Sequence, residues 1–215
     1  MEEIILKNTR KRGHFIVFEG IDGSGKTTQI KKLQEYLEAR GRKVFVTAEP
    51  TVSSTGGALR DALSGIAKKN EYEMAAMFVL DRIFHNTNEV WGIEKMLSEG
   101  YDVLCDRYYY SSMAYQGSAT DFEWVKAMNL LCPEIRTPDA CLFLDLTPQE
   151  SLERIFKGRA TTEIYENEDK LAEVRNSFFR VFKTLGEREN IFIVSAAGTV
   201  DEVAKAIRRC VETLL

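Results

Sequence analysis

The sequence predicts an α/β fold in which a parallel sheet is covered by helices on both faces. Five short apolar runs, rich in β-branched and aromatic residues, are typical of buried strands, and longer helical stretches lie between them. Strands that alternate with helices along a chain favour a parallel sheet. The 215 residues can build one substantial core and contain no evident linker or repeat, so residues 1–215 are expected to form a single domain.

The five predicted strands are nearly continuous in apolar residues instead of alternating with polar ones. This pattern indicates strands that are buried on both faces of the sheet. In chain order they are HFIVFE (14–19), KVFVTA (43–48), YDVLCD (101–106), ACLFLD (140–145) and NIFIVS (190–195).

Helical stretches fill the sequence between these strands. The first has apolar residues three and four positions apart and stops at Gly41, a typical C-terminal residue. Another begins at Thr147-Pro148, where a capping residue precedes a proline in the first turn. The predicted helices are 26–40, 71–98, 122–131, 148–157, 169–188 and 200–214. The polar segment 157–170 has few large apolar residues and is predicted to be a short mobile flap (LID).

The stretch GIDGSGKT at 20–27 has the spacing G-x-x-x-x-G-K-[ST] of a phosphate-binding loop. Its glycines let main-chain N–H groups converge on phosphate oxygens at a helix N-terminus. Lys26 can reach the outer phosphates of a nucleoside triphosphate, and the Thr27 hydroxyl can bind Mg²⁺. A predicted strand precedes the loop and a predicted helix follows it, which is the context this motif requires. The residues predicted to bind the donor nucleotide here are Gly20, Gly23, Ser24, Gly25, Lys26, Thr27 and Thr28.

A second motif, LCDRYYYSSMAYQG, occupies residues 104–117. Asp106 ends a predicted strand, in the position of a carboxylate directed at Mg²⁺ beside a phosphate loop. Arg107 follows at the carboxyl end of that strand, where parallel sheets bind their ligands. The alternative interpretation is a surface pair of opposite charges without a function.

A third motif, MAAMFVLDR at 74–82, places Phe78 and Arg82 four residues apart on one helix face. An aromatic ring beside a guanidinium suits a base that is stacked and hydrogen-bonded at its edge. Taken alone, the pair is more typical of a core phenylalanine with an arginine that reaches solvent.

Composition excludes several classes of function. The formal net charge of −4 offers no basic face for nucleic acid. No apolar run has the length of a signal peptide core or a membrane span, so a cytoplasmic protein without a membrane partner is expected. The four cysteines lack C-x-x-C spacing and are expected to be buried free thiols, and the two histidines give no case for zinc.

Together these segments resemble the thymidylate kinases, a family of P-loop nucleoside-monophosphate kinases. The matching segments run in family order over most of the chain. They are FIVFEGIDGSGKTTQ (15–29), EP (49–50), Phe78 with Asp81-Arg82, DRYYYSSMAYQG (106–117) and PDACLFLDLTPQESLERI (138–155). The resemblance implies a P-loop NTPase fold with a five-stranded parallel sheet, Mg²⁺ as cofactor, and the reaction ATP + dTMP → ADP + dTDP. Its acceptor site would be built from segments 49–60, 74–85 and 106–117.

The resemblance also implies individual acceptor residues. Phe78 would stack on thymine, and Arg82 and Gln116 would hydrogen-bond the base edge. Ser112 matches a position near the base, and Tyr115 one near the sugar. The implied dTMP-binding residues are Asp22, Glu49, Arg60, Phe78, Arg82, Arg107, Ser112, Tyr115 and Gln116.

The remaining implied roles concern the phosphates and the metal. Asp22 would lie near the deoxyribose 3′-hydroxyl, while Arg60 and Arg107 would hold the acceptor phosphate. Arg154 would lie on the ATP side. The implied catalytic residues are Lys26, Arg107, Arg159 and Asp22, and the implied metal ligands are Thr27 and Asp106.

Two departures from the family pattern affect these roles. The phosphate loop holds no arginine, and members with such a loop supply one from a D-R-x-E-like flap segment, where this chain has Glu163-Ile164. Our hypothesis is that Arg159 carries the charge of the transition state instead. After the second strand, TAEPTVSSTGG replaces TREPGGT, so Ala48 stands where the family has an arginine.

Three alternatives stay open at this point. A P-loop kinase for another nucleotide or a deoxynucleoside would need Glu49 or Asp106 as a general base if the acceptor is a neutral hydroxyl. A GTP-driven switch is disfavoured because N-K-x-D is absent. A nucleotide-binding module without turnover is motivated by Ala48 and Ile164. A homodimer is typical of the family, and the apolar residues Met74, Met77, Leu80 and Phe84 could form either its interface or core.

Overall fold

A computed structural model of the protein describes residues 12–158 and 167–215. Five parallel strands form one sheet in the order β2-β3-β1-β4-β5, which confirms the predicted α/β class. The strands are β1 Phe15–Glu19, β2 Lys43–Ala48, β3 Tyr101–Asp106, β4 Ala140–Asp145 and β5 Ile191–Ser195. Most of the predicted flap and Arg159 lie outside the described residues.

Helices connect the strands and cover both faces of the sheet. Within the described residues they are α1 Lys26–Glu38, α2 Ser54–Leu63, α3 Glu71–Thr87, α4 Ile93–Ser98, α5 Tyr109–Ala119, α6 Phe122–Leu130, α7 Pro148–Gly158, α8 Glu168–Leu185 and α9 Val200–Glu212. None of the helices in this part of the chain is long and apolar enough to cross a bilayer.

Alternate residues of the central strands point to two separate cores. Phe15 and Val17 of β1 belong to the core under α3 to α6 and α8, whereas Ile16 and Phe18 belong to the core under α1 and α9. Each central strand is therefore buried on both sides, which explains its continuous apolar sequence.

The prediction that all five strands are buried on both faces is wrong for the two edge strands, β2 and β5. All residues of β2 are partly buried or exposed, and in β5 only Val194 is buried while Ile193 is 52% exposed. Only one neighbouring strand pairs with each edge, and helices cover the edges incompletely. An apolar run of this length therefore does not distinguish an edge strand from a central one.

The predicted helix 71–98 is in fact two helices, α3 and α4. The Asn88 side chain accepts hydrogen bonds from the amides of Val90 and Trp91 at 3.0 Å, which stabilises a turn after α3. Gly92 then approaches this turn closely, since a Cβ atom there would lie 2.4 Å from the Asn88 carbonyl oxygen. Asparagine in a turn competes with the helix by bonding to nearby main-chain amides.

Two further helices, α2 and α5, were not predicted. Gly56 and Gly57 lower the helix propensity of α2, yet a Cβ atom on Gly56 would lie 1.9 Å from the Thr51 carbonyl oxygen. The glycine is thus required by close packing rather than by a loop conformation. Helix α5 is largely buried on several sides and lacks a clear amphipathic pattern.

Packing around Phe143 gives a direct test of the core that lies between the sheet and helices α3 to α6 and α8. Phe143 of β4 is fully buried, with ring centroids 5.1 Å from Phe178 and 4.9 Å from Phe182 of α8. Phe143→Ala should lower the free energy of unfolding by about 3–5 kcal/mol, because it removes apolar burial and leaves a cavity. The exposed edge residue provides the control: Ile193→Ala should cost less than about 1 kcal/mol. Urea denaturation measures both, and equal losses would contradict the assigned core.

Candidate active site

The phosphate loop joins β1 to α1 at the carboxyl end of the sheet. Gly25 is the N-cap of α1 with φ 90°, a left-handed conformation that favours glycine. Gly23 has φ +74°, and a Cβ atom there would lie 2.8 Å from the Ser151 carbonyl oxygen. The loop therefore presents main-chain amides at a helix N-terminus, which favours an anion.

Lys26 is almost fully buried beneath this loop. Its Nζ atom donates to the Gly20 carbonyl oxygen at 3.1 Å. Burial and the neighbouring Arg107 lower the pKa of Lys26, while the carboxylates of Asp106 and Asp22 raise it. The amine thus lies among groups of both signs, and a bound phosphate would add to its stabilising partners.

A cavity of about 470 Å³ opens over the phosphate loop. It is lined by Asp22, Gly23, Gly25, Lys26, Thr27, Thr28, Ala48, Glu49, Asp106, Arg107, Arg154 and Ile155. Two predicted donor residues do not line it: Gly20, whose carbonyl oxygen accepts from Lys26, and Ser24, which is buried. Arg154 donates to the Ala196 carbonyl oxygen at 2.7 Å, which fixes it at the side of the cavity away from β3. We call this space the donor cavity.

Thr27 and Asp106, the two residues predicted to bind Mg²⁺, both line the donor cavity. The Oδ1 atom of Asp106 is buried and has no hydrogen-bond partner among the described residues. No cluster of three acidic, histidine or cysteine side chains in these ranges could hold a metal alone. This arrangement fits Mg²⁺, which is usually bound by one or two protein oxygens together with substrate phosphates and water.

A second cavity, of about 580 Å³, lies between α2, α3 and α5. All nine residues predicted to bind the acceptor line it, together with Pro50, Leu63, Ser64, Tyr108 and Ser111. Phe78 and Arg82, four residues apart on α3, thus share one cavity wall. We call this space the acceptor cavity.

Arg82 is fixed by a buried polar network. Its guanidinium is 1% exposed and donates to Glu49 at 2.9 and 2.6 Å, to Asn129 at 2.5 Å and to Ser112 at 3.1 Å. The other Glu49 oxygen bonds to His85 at 3.0 Å. Both carboxylate oxygens of Glu49 are therefore engaged on the acceptor side, not directed at the metal position.

The segment in which this chain departs from the TREPGGT pattern is held by Asp81. The carboxylate accepts from the Thr51 amide at 2.7 Å, the Thr51 hydroxyl at 2.6 Å and the Thr55 hydroxyl at 2.6 Å. Arg60 donates to the Thr51 carbonyl oxygen at 2.5 Å from the other side. Hydroxyl side chains and one buried carboxylate thus order a loop that lacks the usual glycines.

Arg107 lies where the two cavities meet, and it lines both. Its guanidinium donates to Asp22 at 2.5 Å and to the Ser111 hydroxyl at 3.2 Å. Burial alone would lower the pKa of Arg107, but Tyr115 and the carboxylates of Asp22 and Glu19 raise it. The side chain is a fixed cation between the two spaces.

Glu19 was not predicted from the sequence. It is the last residue of β1, it is 0% exposed, and it accepts hydrogen bonds from the Tyr108 amide at 2.8 Å and the Ser111 hydroxyl at 2.7 Å. Burial raises the pKa of this carboxyl to about 7, although Arg107 and Ser111 lower it. Its place at a strand end, directly before the phosphate loop, is the signal that could have identified it.

Asn129 and His85 were also missed as parts of the site. Asn129 comes from α6 and contacts Arg82 across 47 positions of sequence, so no local pattern indicates it. His85 follows Arg82 on α3 and contacts Thr47 at 2.8 Å as well as Glu49. The implied acceptor segment 74–85 includes His85, but no local pattern indicates these buried contacts.

The raised pKa of Glu19 gives a prediction about stability. Because the folded value of about 7 exceeds the ordinary 4.5, the contribution of Glu19 is fully present below pH 4.5 and is lost as pH rises through 7. Wild type should therefore lose about 3 kcal/mol of unfolding free energy relative to Glu19→Gln across this range. Urea denaturation at a series of pH values measures the difference.

The control for this experiment is Ile193→Ala, which leaves every carboxylate in place. Its unfolding free energy should be offset from that of wild type by the same amount at every pH, so that the two curves have the same slope. Parallel curves for wild type and Glu19→Gln would contradict the buried, titrating carboxyl.

Comparisons with known proteins identify the family. The family model described as thymidylate kinase matches residues 18–207. A probable thymidylate kinase of Pyrococcus horikoshii is 38% identical over 200 residues, covering 89% of this chain and 92% of its own. The thymidylate kinase of Caldicellulosiruptor saccharolyticus is 36% identical over 208 residues, covering 95% and 98% respectively. A probable thymidylate kinase of Methanococcus aeolicus is 39% identical over 197 residues, covering 90% and 93%. The chain therefore belongs to the thymidylate kinase family, a family of phosphotransferring enzymes.

Proposed function

We propose that this kinase transfers the γ-phosphoryl group of ATP to dTMP, giving ADP and dTDP. The observation that carries the proposal is that the donor and acceptor cavities share Asp22, Glu49 and Arg107. Two phosphate-bearing molecules bound in these cavities would meet end to end at a partly buried cation. The names of the relatives agree with dTMP as the acceptor.

The proposed chemistry needs no general base. A phosphate oxygen of dTMP, already ionised, forms a bond to the γ-phosphorus, and the bond from that phosphorus to the bridging oxygen of ADP breaks. Catalysis then depends on alignment of the two nucleotides and on neutralisation of the charge between them. Arg107 is placed to do this on the acceptor side and Lys26 on the donor side.

Thr27 and Asp106 would hold Mg²⁺ beside the donor phosphates. The bound ion would neutralise part of the charge on the β- and γ-phosphates. Asp106 is suited to this role because its buried Oδ1 atom lacks another partner in the described parts of the chain. The phosphate loop supplies the remaining contacts through main-chain amides.

Base recognition in the acceptor cavity is assigned to Phe78 and Arg82. The Phe78 ring would stack on thymine, and Arg82 with Gln116 would bond its edge. Glu49, Asn129 and Ser112 already hold most of the donors of Arg82, so the guanidinium meets the base in a fixed orientation. Tyr115 and Asp22 both lie beside the Arg107 guanidinium and would contact the sugar.

Arg159 remains our proposal for the transition-state arginine, although it lies outside the described residues. Family members with this type of phosphate loop require such a residue, and Ile164 cannot supply it. An arginine at the transferring phosphoryl group is worth about 10³–10⁵ in rate. Rates of Arg159→Ala within a few-fold of wild type would exclude the assignment.

A deoxynucleoside kinase is the main alternative within enzymes. It would need a free carboxylate to activate a neutral hydroxyl. Glu49 is poorly suited because both of its oxygens are held by Arg82 and His85. A nucleotide-binding module without turnover is the other alternative, and it predicts binding of ATP with no transfer to any monophosphate.

We further propose that the protein is a cytoplasmic homodimer that forms through α3. Leu80 is 56% exposed, and Met77 and Phe84 are partly exposed beside it, whereas Met74 is buried and belongs to the core. A face of this kind is typical of an interface between copies. Sedimentation measures the oligomeric state, and we expect wild type to be a dimer that Leu80→Glu disrupts. A monomeric wild type would exclude the proposal.

Initial rates of ADP formation test the proposed reaction most simply. We expect dTMP to be the preferred acceptor in a panel that includes dUMP, dCMP, dGMP and thymidine. Discrimination against a base that lacks matching edge groups should be at least about 100-fold, because buried polar groups of the cavity would be left unpaired. Preference for thymidine over dTMP would favour a nucleoside kinase, and ATP binding without any transfer would favour a binding module.

A further inference from the structure

Arg107 has an unfavourable main-chain conformation. Its φ of 65° is the only positive value at a non-glycine residue within residues 12–158 and 167–215. A left-handed conformation at such a residue costs about 1–2 kcal/mol. Other contacts must therefore hold the chain in place here, as is often found at functional sites. One of them is the Arg107 amide, which donates to the Phe18 carbonyl oxygen at 2.9 Å.

Helix α5 begins directly after Arg107, and its N-terminus is capped from another element. The N-cap residue Tyr108 makes no side-chain cap of its own. Instead, Oε1 of Glu19 accepts from the Tyr108 amide at 2.8 Å and from the Ser111 amide at 3.1 Å. Donors at a helix start commonly lack an intrahelical acceptor. The Ser111 amide also donates to the Tyr108 carbonyl oxygen at 3.1 Å, so the Tyr108 amide depends most on Glu19. A residue of β1 thus takes the place of the usual local cap.

The same carboxylate also reaches the Arg107 side chain through one hydroxyl. Oε2 of Glu19 accepts from Ser111 Oγ at 2.7 Å, and Ser111 Oγ accepts from the Arg107 guanidinium at 3.2 Å. Glu19 is therefore linked to Arg107 in two ways. One link is the main-chain amide of Tyr108, the residue after Arg107, and the other runs through the Ser111 hydroxyl to the Arg107 guanidinium. Both links direct the side chain toward the junction of the two cavities.

We propose that Glu19 is a positioning residue for the acceptor phosphate. By capping α5 from β1, it holds Arg107 in the left-handed conformation that aims the guanidinium between the donor and acceptor cavities. This inference rests on the proposed function, in which Arg107 holds the phosphate of the acceptor. Glu19 lines neither cavity, and its role is exerted through Arg107 alone.

Replacements of Glu19 separate its capping role from its charge. A glutamine can accept the two α5 amides through its oxygen and donate its amide hydrogen to Ser111 Oγ, whereas an alanine can do neither. Glu19→Ala should lower kcat/KM for dTMP about 30-fold, because the Tyr108 amide and the Ser111 hydroxyl lose their acceptor and the Ser111 amide keeps only the Tyr108 carbonyl oxygen. Glu19→Gln should stay within about fivefold of wild type, and KM for ATP should change less than about threefold in both.

Glu189 provides a matched control. Its carboxylate is also substantially buried against α5, where it accepts from the hydroxyls of Tyr109 and Tyr110, but it lies away from both cavities. Glu189→Ala should leave KM for dTMP and KM for ATP unchanged. The proposal is overturned if Glu19→Gln is as impaired as Glu19→Ala, or if Glu19→Ala raises both KM values alike.

A crystal structure of nucleotide-free Glu19→Ala gives a readout that does not depend on the acceptor. We expect Arg107 to leave the left-handed region or its guanidinium to turn away from Asp22. An unchanged Arg107 would overturn the proposal whatever the kinetics. If wild type fails to phosphorylate dTMP but Arg107 moves in this crystal, the proposed function fails while the positioning role of Glu19 stands.

Ser111→Ala covers the case in which Glu19→Ala does not fold. It removes the link to the guanidinium and keeps the capped amides. We expect kcat/KM for dTMP to fall about fivefold, with Arg107 still left-handed in the crystal. An unchanged kcat/KM together with an unmoved guanidinium would overturn the link.

Discussion

The parallel pairing of β1 with β3 is the constraint on which the whole site depends. Phe18 of β1 lies opposite Asp106 of β3, so the chain leaves both strands at the same edge of the sheet. The phosphate loop follows one strand and Arg107 follows the other. A donor site made of main-chain amides and an acceptor site made of side chains are thereby brought together without any long-range loop. This follows the general rule that parallel sheets bind ligands beyond the carboxyl ends of their strands.

Charge balance at this junction explains how so many ionisable groups can lie together while buried or partly buried. Two cations, Lys26 and Arg107, face three carboxylates, Glu19, Asp22 and Asp106, within one small region. Buried charges of this kind are unfavourable unless they are paired. The free protein pairs Arg107 with Asp22. Nucleotide phosphates would add negative charge at the same place, so binding and redistribution of these pairs are expected to be coupled.

The sequence was sufficient for the sheet and the phosphate loop, because these depend on short-range patterns, whereas most residues that line the acceptor cavity were indicated only by the family resemblance. Continuous apolar runs located all strands, and the spacing of the phosphate loop located Lys26 and Thr27. Contacts between distant segments were not accessible in this way. The cap of α5 joins Glu19 to a segment 89 positions later, and it replaces the serine or aspartate that marks most helix starts. Gly56 concealed helix α2 for a related reason. A glycine is needed there because a side chain would clash with the Thr51 carbonyl oxygen, and this tertiary contact cannot be seen in the local sequence.

A crystal structure of the protein with dTMP and a non-hydrolysable ATP analogue tests the central claim most directly. The account predicts that the Arg107 guanidinium gives up at least part of its contact with Asp22 and bonds to the phosphate of dTMP. It also predicts that the Phe78 ring lies against the base and that the triphosphate lies on the amides of the phosphate loop. Bound nucleotides with Arg107 still paired only to Asp22, and with the acceptor phosphate elsewhere, would contradict it.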